Sequence, residues 1–268
     1  MKFSFIAFLI FATLGSCTQT AKHPQATLLN KNAPAIVTEQ EILKFSDSLD
    51  ANLNNLEKQN SLIFNKDAES LYIEKYSMNG VPVLYKSYTE HDGLDSYART
   101  YYFNNDSLIL VKESSKTIRQ NGDLFVEQRT YLRNNIAFKR EVRSAPSHST
   151  LGNKPYQTLK QTTPEKDDFT AAISTFNDAL NGNDKFDLVF DNLISSADEQ
   201  YILLKSKLPN GYTAGIVVRE NDSFIDSLVN DPLLFKSRKL DLKWKIEDKE
   251  AVYVPVAAKA TSASGLNR

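Results

Sequence analysis

Residues 69–143 read ESLYIEKYSMNGVPVLYKSYTEHDGLDSYARTYYFNNDSLILVKESSKTIRQNGDLFVEQRTYLRNNIAFKREVR, and this stretch decides the fold. Apolar and polar residues alternate in short runs, broken at Asn79-Gly80, Asp92-Gly93, Asn104-Asn105-Asp106, Asn121-Gly122-Asp123 and Asn134-Asn135. Asn, Asp and Gly tolerate positive φ or bond their own backbone, so each cluster is a place where the chain reverses. The spacing predicts strands over 69–77, 83–90, 96–103, 107–117, 124–132 and 136–143, joined by sequential hairpins into a six-stranded antiparallel meander.

Upstream, Thr38-Glu39-Gln40-Glu41 has the form of a capping box, with Thr as N-cap and Glu three residues on. Ile42, Phe45, Leu49, Leu53 and Leu56 then recur at three- and four-residue spacing, which predicts a helix of about five turns with one apolar stripe. That stripe is the natural cover for one face of the sheet. The expected fold class is therefore α+β: a helix packed on an antiparallel meander over 39–143, followed by a second, smaller α+β unit over 169–256.

Residues 144–168 carry three Pro and many Ser and Thr with almost no apolar pattern, and read as a linker or long excursion. The second unit opens with a helix over 165–180, where Phe169, Ile173, Phe176 and Leu180 share a face. Extended segments follow at 186–190, 201–208 and 212–219. Asp222 then caps a short helix that turns Phe224, Ile225, Leu228 and Val229 inward, before a terminal hairpin formed by 240–246 and 251–256. The tail over 257–268 has no packing pattern. Periodicity leaves open whether the two halves share one core.

Composition narrows the function classes. The 268 residues are 41% hydrophobic and 24% charged, which excludes a wholly disordered, collagen-like or multi-span membrane chain. With 32 Lys and Arg against 33 Asp and Glu, no global charge bias steers the chain onto nucleic acid. One Cys and three His argue against a disulfide framework and a dedicated metal site, so no metal and no cofactor is expected.

Chemistry-bearing motifs are sparse. Nucleophile elbows, phosphate loops and dinucleotide glycine patterns are absent from the sequence. His148 lies between Ser147 and Ser149, yet a triad is defined by geometry rather than by adjacency. His23 sits beside Pro24 without other ligand types nearby. Asp167 and Asp168 are placed where a helix start favours acids. Trp244 is expected to pack with Leu242 and Ile246. The basic residues Arg129, Arg133, Lys139, Arg140 and Arg143 on the last two strands read as protection of a sheet edge. The expectation is a non-enzymatic protein.

Tyrosine is the compositional excess: eight of twelve (Tyr72, Tyr76, Tyr85, Tyr88, Tyr97, Tyr101, Tyr102, Tyr131) fall in the meander. On the third strand, alternation puts Tyr97, Arg99 and Tyr101 on one face and Tyr102 on the other. If only one face is covered, some of these rings form an exposed amphipathic platform. Tyr97, Arg99, Tyr101, Tyr102 and Tyr131 are the candidate binding surface.

The N-terminus supplies an address. After Met1-Lys2, residues 3–14 form a nearly unbroken apolar stretch of 12 residues, short of the roughly 20 needed to span a bilayer. Leu14-Gly15-Ser16-Cys17 resembles a bacterial lipobox of the signal peptidase II type. The resemblance implies a signal peptide over 1–16, acylation of Cys17 as the lipid attachment residue, and a tether over 17–38. Thr18, not Asp, follows the Cys, which for such lipoproteins implies the outer membrane, and the lack of an acidic cluster favours its periplasmic face over the cell surface. The hairpins at 100–143, with Tyr-Tyr-Phe-Asn-Asn-Asp-Ser-Leu at 101–108 and Tyr-Leu-Arg-Asn-Asn-Ile at 131–136, are similar to strand-turn-strand units of uncharacterised bacterial lipoproteins and carry no chemistry with them.

The resulting expectation is a membrane-anchored periplasmic lipoprotein that binds an envelope protein, glycan or lipid through a tyrosine-rich sheet, and no nucleic acid. The alternative is a carrier of a lipid or other hydrophobic ligand, in a cavity between the sheet and the first helix lined by Leu71, Ile73, Leu108, Leu110 and Phe138.

Overall fold

A computed structural model describes residues 38–160, 169–196 and 199–255. The expected signal peptide, Cys17, the tether with His23, the pair Asp167-Asp168 and the tail over 257–268 all lie outside the described residues. The chain is a mixed α+β protein organised on one large antiparallel sheet.

Six long strands form the meander: β3 (Glu69–Met78), β4 (Val81–His91), β5 (Asp95–Asn104), β6 (Ser107–Thr117), β7 (Leu124–Arg133) and β8 (Ile136–Ala145). Each neighbouring pair is antiparallel. Three of the turns share one construction. At Asn79-Gly80, Asn105-Asp106 and Asn134-Asn135 both central residues have positive φ, the conformation that matches the twist of the flanking strands.

A register shift follows each of these turns, after Tyr76, Tyr102 and Tyr131 on the incoming strand. In every case the third residue past the turn is the one left over: Val83, Ile109 and Phe138. All three join or pack against a single cluster with Ile42 and Leu49 of α1 (Glu39–Ala51), together with Tyr76, Leu84, Tyr102, Leu110 and Tyr131. Three repeated bulges thus build the apolar seat against which α1 packs.

The start of α1 follows its sequence. Thr38 Oγ1 accepts from Glu41 N at 3.2 Å, and Glu41 accepts from Thr38 N at 3.0 Å. The helix stops at Ala51, earlier than the stripe predicts, and a 3-10 turn over Leu53–Asn55 carries Leu53 and Leu56 to the same cluster. Two short strands follow that the sequence does not announce, β1 (Glu57–Asn60) and β2 (Phe64–Lys66), and both pair with β3.

The second half contributes α3 (Phe169–Asn181), β10 (Leu188–Ser195), β11 (Gln200–Ser206), β12 (Thr213–Val218), α4 (Ser223–Asn230), α5 (Pro232–Phe235), β13 (Trp244–Glu247) and β14 (Glu250–Tyr253). These strands continue the meander's sheet. β2 bridges β3 to β12, with Phe64 opposite Ala214, and β14 runs parallel to β12 at Val217 and Val252. One buried cluster joins Leu71, Ile73, Tyr85, Tyr101 and Val111 of the meander to Phe176, Phe186, Ile202, Ile216 and Ile225. The halves therefore share a core.

Residues 144–160 are an excursion held against the sheet rather than a free linker. β8 runs on to Ala145, α2 (His148–Gly152) follows, and β9 (Gln157–Thr158) pairs back onto β8.

Candidate functional site

Residues directly opposite in neighbouring strands point to the same side of a sheet. On the α1 side of the meander, the register aligns Tyr72, Tyr88, Ala98, Ser114, Glu127 and Arg143 in one row across six strands. The next row, farther from α1, is Ser70, Glu90, Ser96, Lys116 and Phe125. Small side chains at Ser96, Ala98 and Ser114 leave the middle hollow, with larger ones at either end.

The hollow consists of two adjoining cavities. One of about 300 Å³ is lined by Tyr72, Glu74, Tyr88, Lys58 and Ile63. The other, about 400 Å³, is lined by Ala98, Ser114, Phe125, His148 and Leu151. Tyr88, Glu90 and Lys249 border both, so the two cavities adjoin across the strands as the two parts of a groove divided at these residues. Lys249, on the turn between β13 and β14, reaches Glu90 at 3.2 Å where the two cavities meet. At about 4.8 Å per strand, a groove crossing from β3 to β7 is roughly 19 Å long.

The β3 end is aromatic and charged. Tyr72 and Tyr88 stack, with ring centroids 5.7 Å apart. Glu74 is buried beneath them and accepts from Tyr72 Oη at 3.0 Å, Tyr76 Oη at 2.9 Å and Lys58 Nζ at 2.7 Å. Burial pushes this carboxyl up, but those donors outweigh burial and leave it below the usual carboxylate range. Burial and the adjacent Glu74 charge push the Tyr88 phenol up to about 12, and raise Tyr72 and Tyr76 further. At neutral pH the site therefore offers neutral phenols and an ionised carboxylate, a combination suited to stacking and hydrogen bonding.

At the other end, His148 meets the Phe125 ring edge-on at 6.2 Å. Its neighbour Ser147 is the N-cap of α2, accepting from Thr150 N at 3.3 Å. Glu127 accepts from Arg143 and Tyr156, and these donors hold its carboxyl low against the opposing effect of burial. Among the described residues, no group of three or more His, Cys, Asp or Glu side chains is arranged to hold a metal ion. Nor is any described helix long and apolar enough to cross a membrane.

The five tyrosine-strand candidates do not form one surface. Tyr101, Tyr102 and Tyr131 are only 2%, 2% and 1% exposed. Tyr101 packs against Phe169 and Phe176 on one face, while Tyr102 and Tyr131 belong to the α1 cluster on the other. Tyr102 donates to Asp50 and Tyr131 to Glu141. Tyr97 and Arg99 remain exposed, with Arg99 paired to Glu113 at 2.5 Å. Both faces carry a cover over this part of the meander, which removes the premise that one face is bare.

The expected cavity against the first helix also divides. Leu71, Ile73 and Leu108 belong to the core shared with the second half, whereas Leu110 and Phe138 face α1, so the five cannot line one space. Leu242 is buried, and Trp244 and Ile246 pack against the shared core as expected. The basic residues of β7 and β8 are engaged: Lys139 with Glu39 and Glu141, Arg143 with Glu127, Arg129 against Tyr156 and Arg133 over Phe138.

Sequence reasoning did not single out Tyr72, Glu74, Tyr88, Ser96, Ala98 and Ser114 as a group. The signal available to it was the run of small residues at 96, 98 and 114 among large strand residues, which becomes a hollow only once the strands are in register. Comparison with protein-family models, curated proteins and solved structures finds no match to this chain.

Proposed function

We propose that this protein is a lipid-anchored, non-enzymatic component of a bacterial envelope, carried by an acylated Cys17 on the periplasmic face of the outer membrane. Its body is a helix seated on an antiparallel meander, with a second, smaller α+β unit extending the same sheet. It binds an extended segment of an envelope glycan or partner protein in the groove over Tyr88, Ala98 and Ser114. The observation that supports this reading is the pair of adjoining cavities on one face of β3 to β7, with stacked tyrosines at one end and the small residues Ser96, Ala98 and Ser114 in the middle. A photo-crosslinking residue at Ser114 in the intact envelope is expected to trap a discrete adduct that one at Leu208 does not, and Tyr88→Ala is expected to reduce it. Equal capture at both positions, or none, rejects the groove. Incorporation of labelled fatty acid that disappears in Cys17→Ala tests the anchor separately.

A second reading, carriage of a hydrophobic ligand, is favoured by a different cavity of about 170 Å³ lined by Leu62, Phe64, Leu188, Ile216, Leu242 and Trp244. It is smaller than the roughly 300 Å³ at which ligand pockets usually begin. A bound apolar adduct in native mass spectrometry of the purified protein decides for this reading, and a clean mass decides against it.

A further inference from the structure

We infer that the cavity over Tyr72 and Tyr88 takes a neutral saccharide, so that the envelope component bound on this face is an uncharged glycan chain. This rests on the binding role proposed for the two adjoining cavities and narrows it to one class of ligand.

Charge in this cavity is already matched. Its lining holds two acids and two bases, and they are paired with one another: Lys58 with Glu74 at 2.7 Å, and Lys249 with Glu90 at 3.2 Å. In the adjoining cavity Lys116 is paired with Asp123 at 3.0 Å and Glu127 with Arg143 at 2.6 Å. An ionised ligand finds no unmatched Lys or Glu along either lining, and would have to take its partner from an existing pair. Hydroxyl groups need no such exchange. They donate to a carboxylate and accept from an ammonium while the pair stays closed.

The aromatic surface is preset. Tyr72 and Tyr88 stack at 5.7 Å, and Tyr72 is held by its hydrogen bond to Glu74. Glu74 is only 8% exposed and accepts from three donors, which makes it the anchor of these rings rather than a contact for ligand. Tyr88 borders both cavities and is 37% exposed. The face of such a ring is electron-rich, so the polarised C–H groups on one side of a pyranose pack against it and leave the hydroxyl rim free for hydrogen bonds. Ser70, directly opposite Glu90 on the neighbouring strand, lines the cavity with Glu90 and Lys249 and completes a set of partners for that rim.

The sheet beneath has no open edge. Strands β3 to β7 each have a neighbour on both sides, so their main-chain donors and acceptors are spent on one another. An extended peptide laid across this face cannot add to the sheet, and its own main-chain groups would depend on a few side chains for partners. A lipid chain would cover two ion pairs and Ser70 without returning a hydrogen bond. A saccharide carries neither cost.

Isothermal titration calorimetry of the unacylated chain from Thr18 onward, which keeps every described residue, tests the assignment. The probes are neutral hexasaccharides of glucose, mannose, galactose and N-acetylglucosamine, with the hexamers of glucosamine and galacturonic acid as cationic and anionic counterparts. A neutral hexamer is expected to bind about tenfold more tightly than either ionised one, or better. Tyr88→Ala is expected to weaken that binding about tenfold with the circular dichroism unchanged, whereas Tyr88→Phe keeps the ring face and stays within about threefold of the unaltered chain. Glu90→Leu with Lys249→Leu, both at exposed positions, is expected to cost about tenfold by removing partners of the hydroxyl rim. Failure of every neutral hexamer to bind, equal or tighter binding of an ionised one, or indifference to Tyr88→Ala overturns the inference. A polypeptide trapped by the photo-crosslinking residue at Ser114 overturns it too while leaving the binding role of this face intact, whereas no adduct and no binding remove both.

Discussion

The ring of Tyr156 lies 3.8 Å from the guanidinium of Arg129, while its hydroxyl donates to Glu127 at 2.8 Å. The guanidinium of Arg143 sits 4.5 Å from the same ring and donates to the carbonyls of Gly152 and Lys154. One tyrosine with two arginines therefore fastens the α2–β9 excursion to the sheet, closing the far end of the groove.

Tyr156→Ala is expected to release that excursion at a cost of about 1–2 kcal/mol, the scale of a partly buried cation–π contact plus one charge-assisted hydrogen bond. Hydrogen exchange should rise over 146–160 and stay unchanged in α1. Tyr156→Phe keeps the stacked ring and is expected to lose less than half as much.

Ile109 and Phe138 are bulge residues in the seat of α1. Ile109→Ala is expected to destabilise the fold by about 2–5 kcal/mol in urea unfolding, because a cavity opens where the surroundings cannot collapse. Exchange in 39–51 should quicken more than in 200–218. Uniform quickening would show that α1 does not depend on the bulges.

Asn105 holds φ at 47°. A β-branched residue is strained there, so Asn105→Val is expected to cost about 1–2 kcal/mol in thermal unfolding. Asn105→Gly, which adopts that conformation freely, is expected to leave the melting temperature nearly unchanged.

The folded Glu74 carboxyl lies below its ordinary value of 4.5. Its contribution to stability is complete above the unfolded value and drains away as pH falls through the folded one. Glu74→Gln is therefore expected to lower stability at pH 7 and flatten its decline below about pH 4.5, as read from urea midpoints across pH. A parallel decline in both proteins would remove Glu74 from the acid response.

Burial and neighbouring carboxylates raise the phenols of Tyr72, Tyr76, Tyr88, Tyr102 and Tyr131, with Tyr88 and Tyr131 at about 12. Absorbance at 295 nm is expected to show a late group of tyrosines that ionises only near or above pH 12. Stability held by these neutral phenols is present below their unfolded value and is lost as pH rises through the folded ones. Tyr88→Phe should remove one tyrosine from the late group alone.

Much of the fold is legible in the chain. Asn-Gly, Asn-Asp and Asn-Asn pairs accept the positive φ that the hairpins require, so each of the six expected strands lies within an observed one to a residue or two. The capping box at Thr38 forms as read. The groove was much less legible, because its floor joins residues from 70 to 127 whose proximity depends on pairing. β1 and β2 escaped notice since neither shows alternation, and each exists by adding to the free edge of β3.

By itself the sequence determined where the meander turns, where its six strands lie and where the first helix starts, because φ preferences, caps and apolar periodicity act within a few residues. Only the tertiary structure decided which tyrosines are surface and which are core. Alternation placed Tyr101 and Tyr102 on opposite faces, but α3 covers one face and α1 the other, so both rings are buried. The bulges at Val83, Ile109 and Phe138 likewise set which residues stand opposite one another, since a one-residue shift changes every partner beyond it. Such covering and register are contacts between residues far apart in the chain, and local preferences do not encode them.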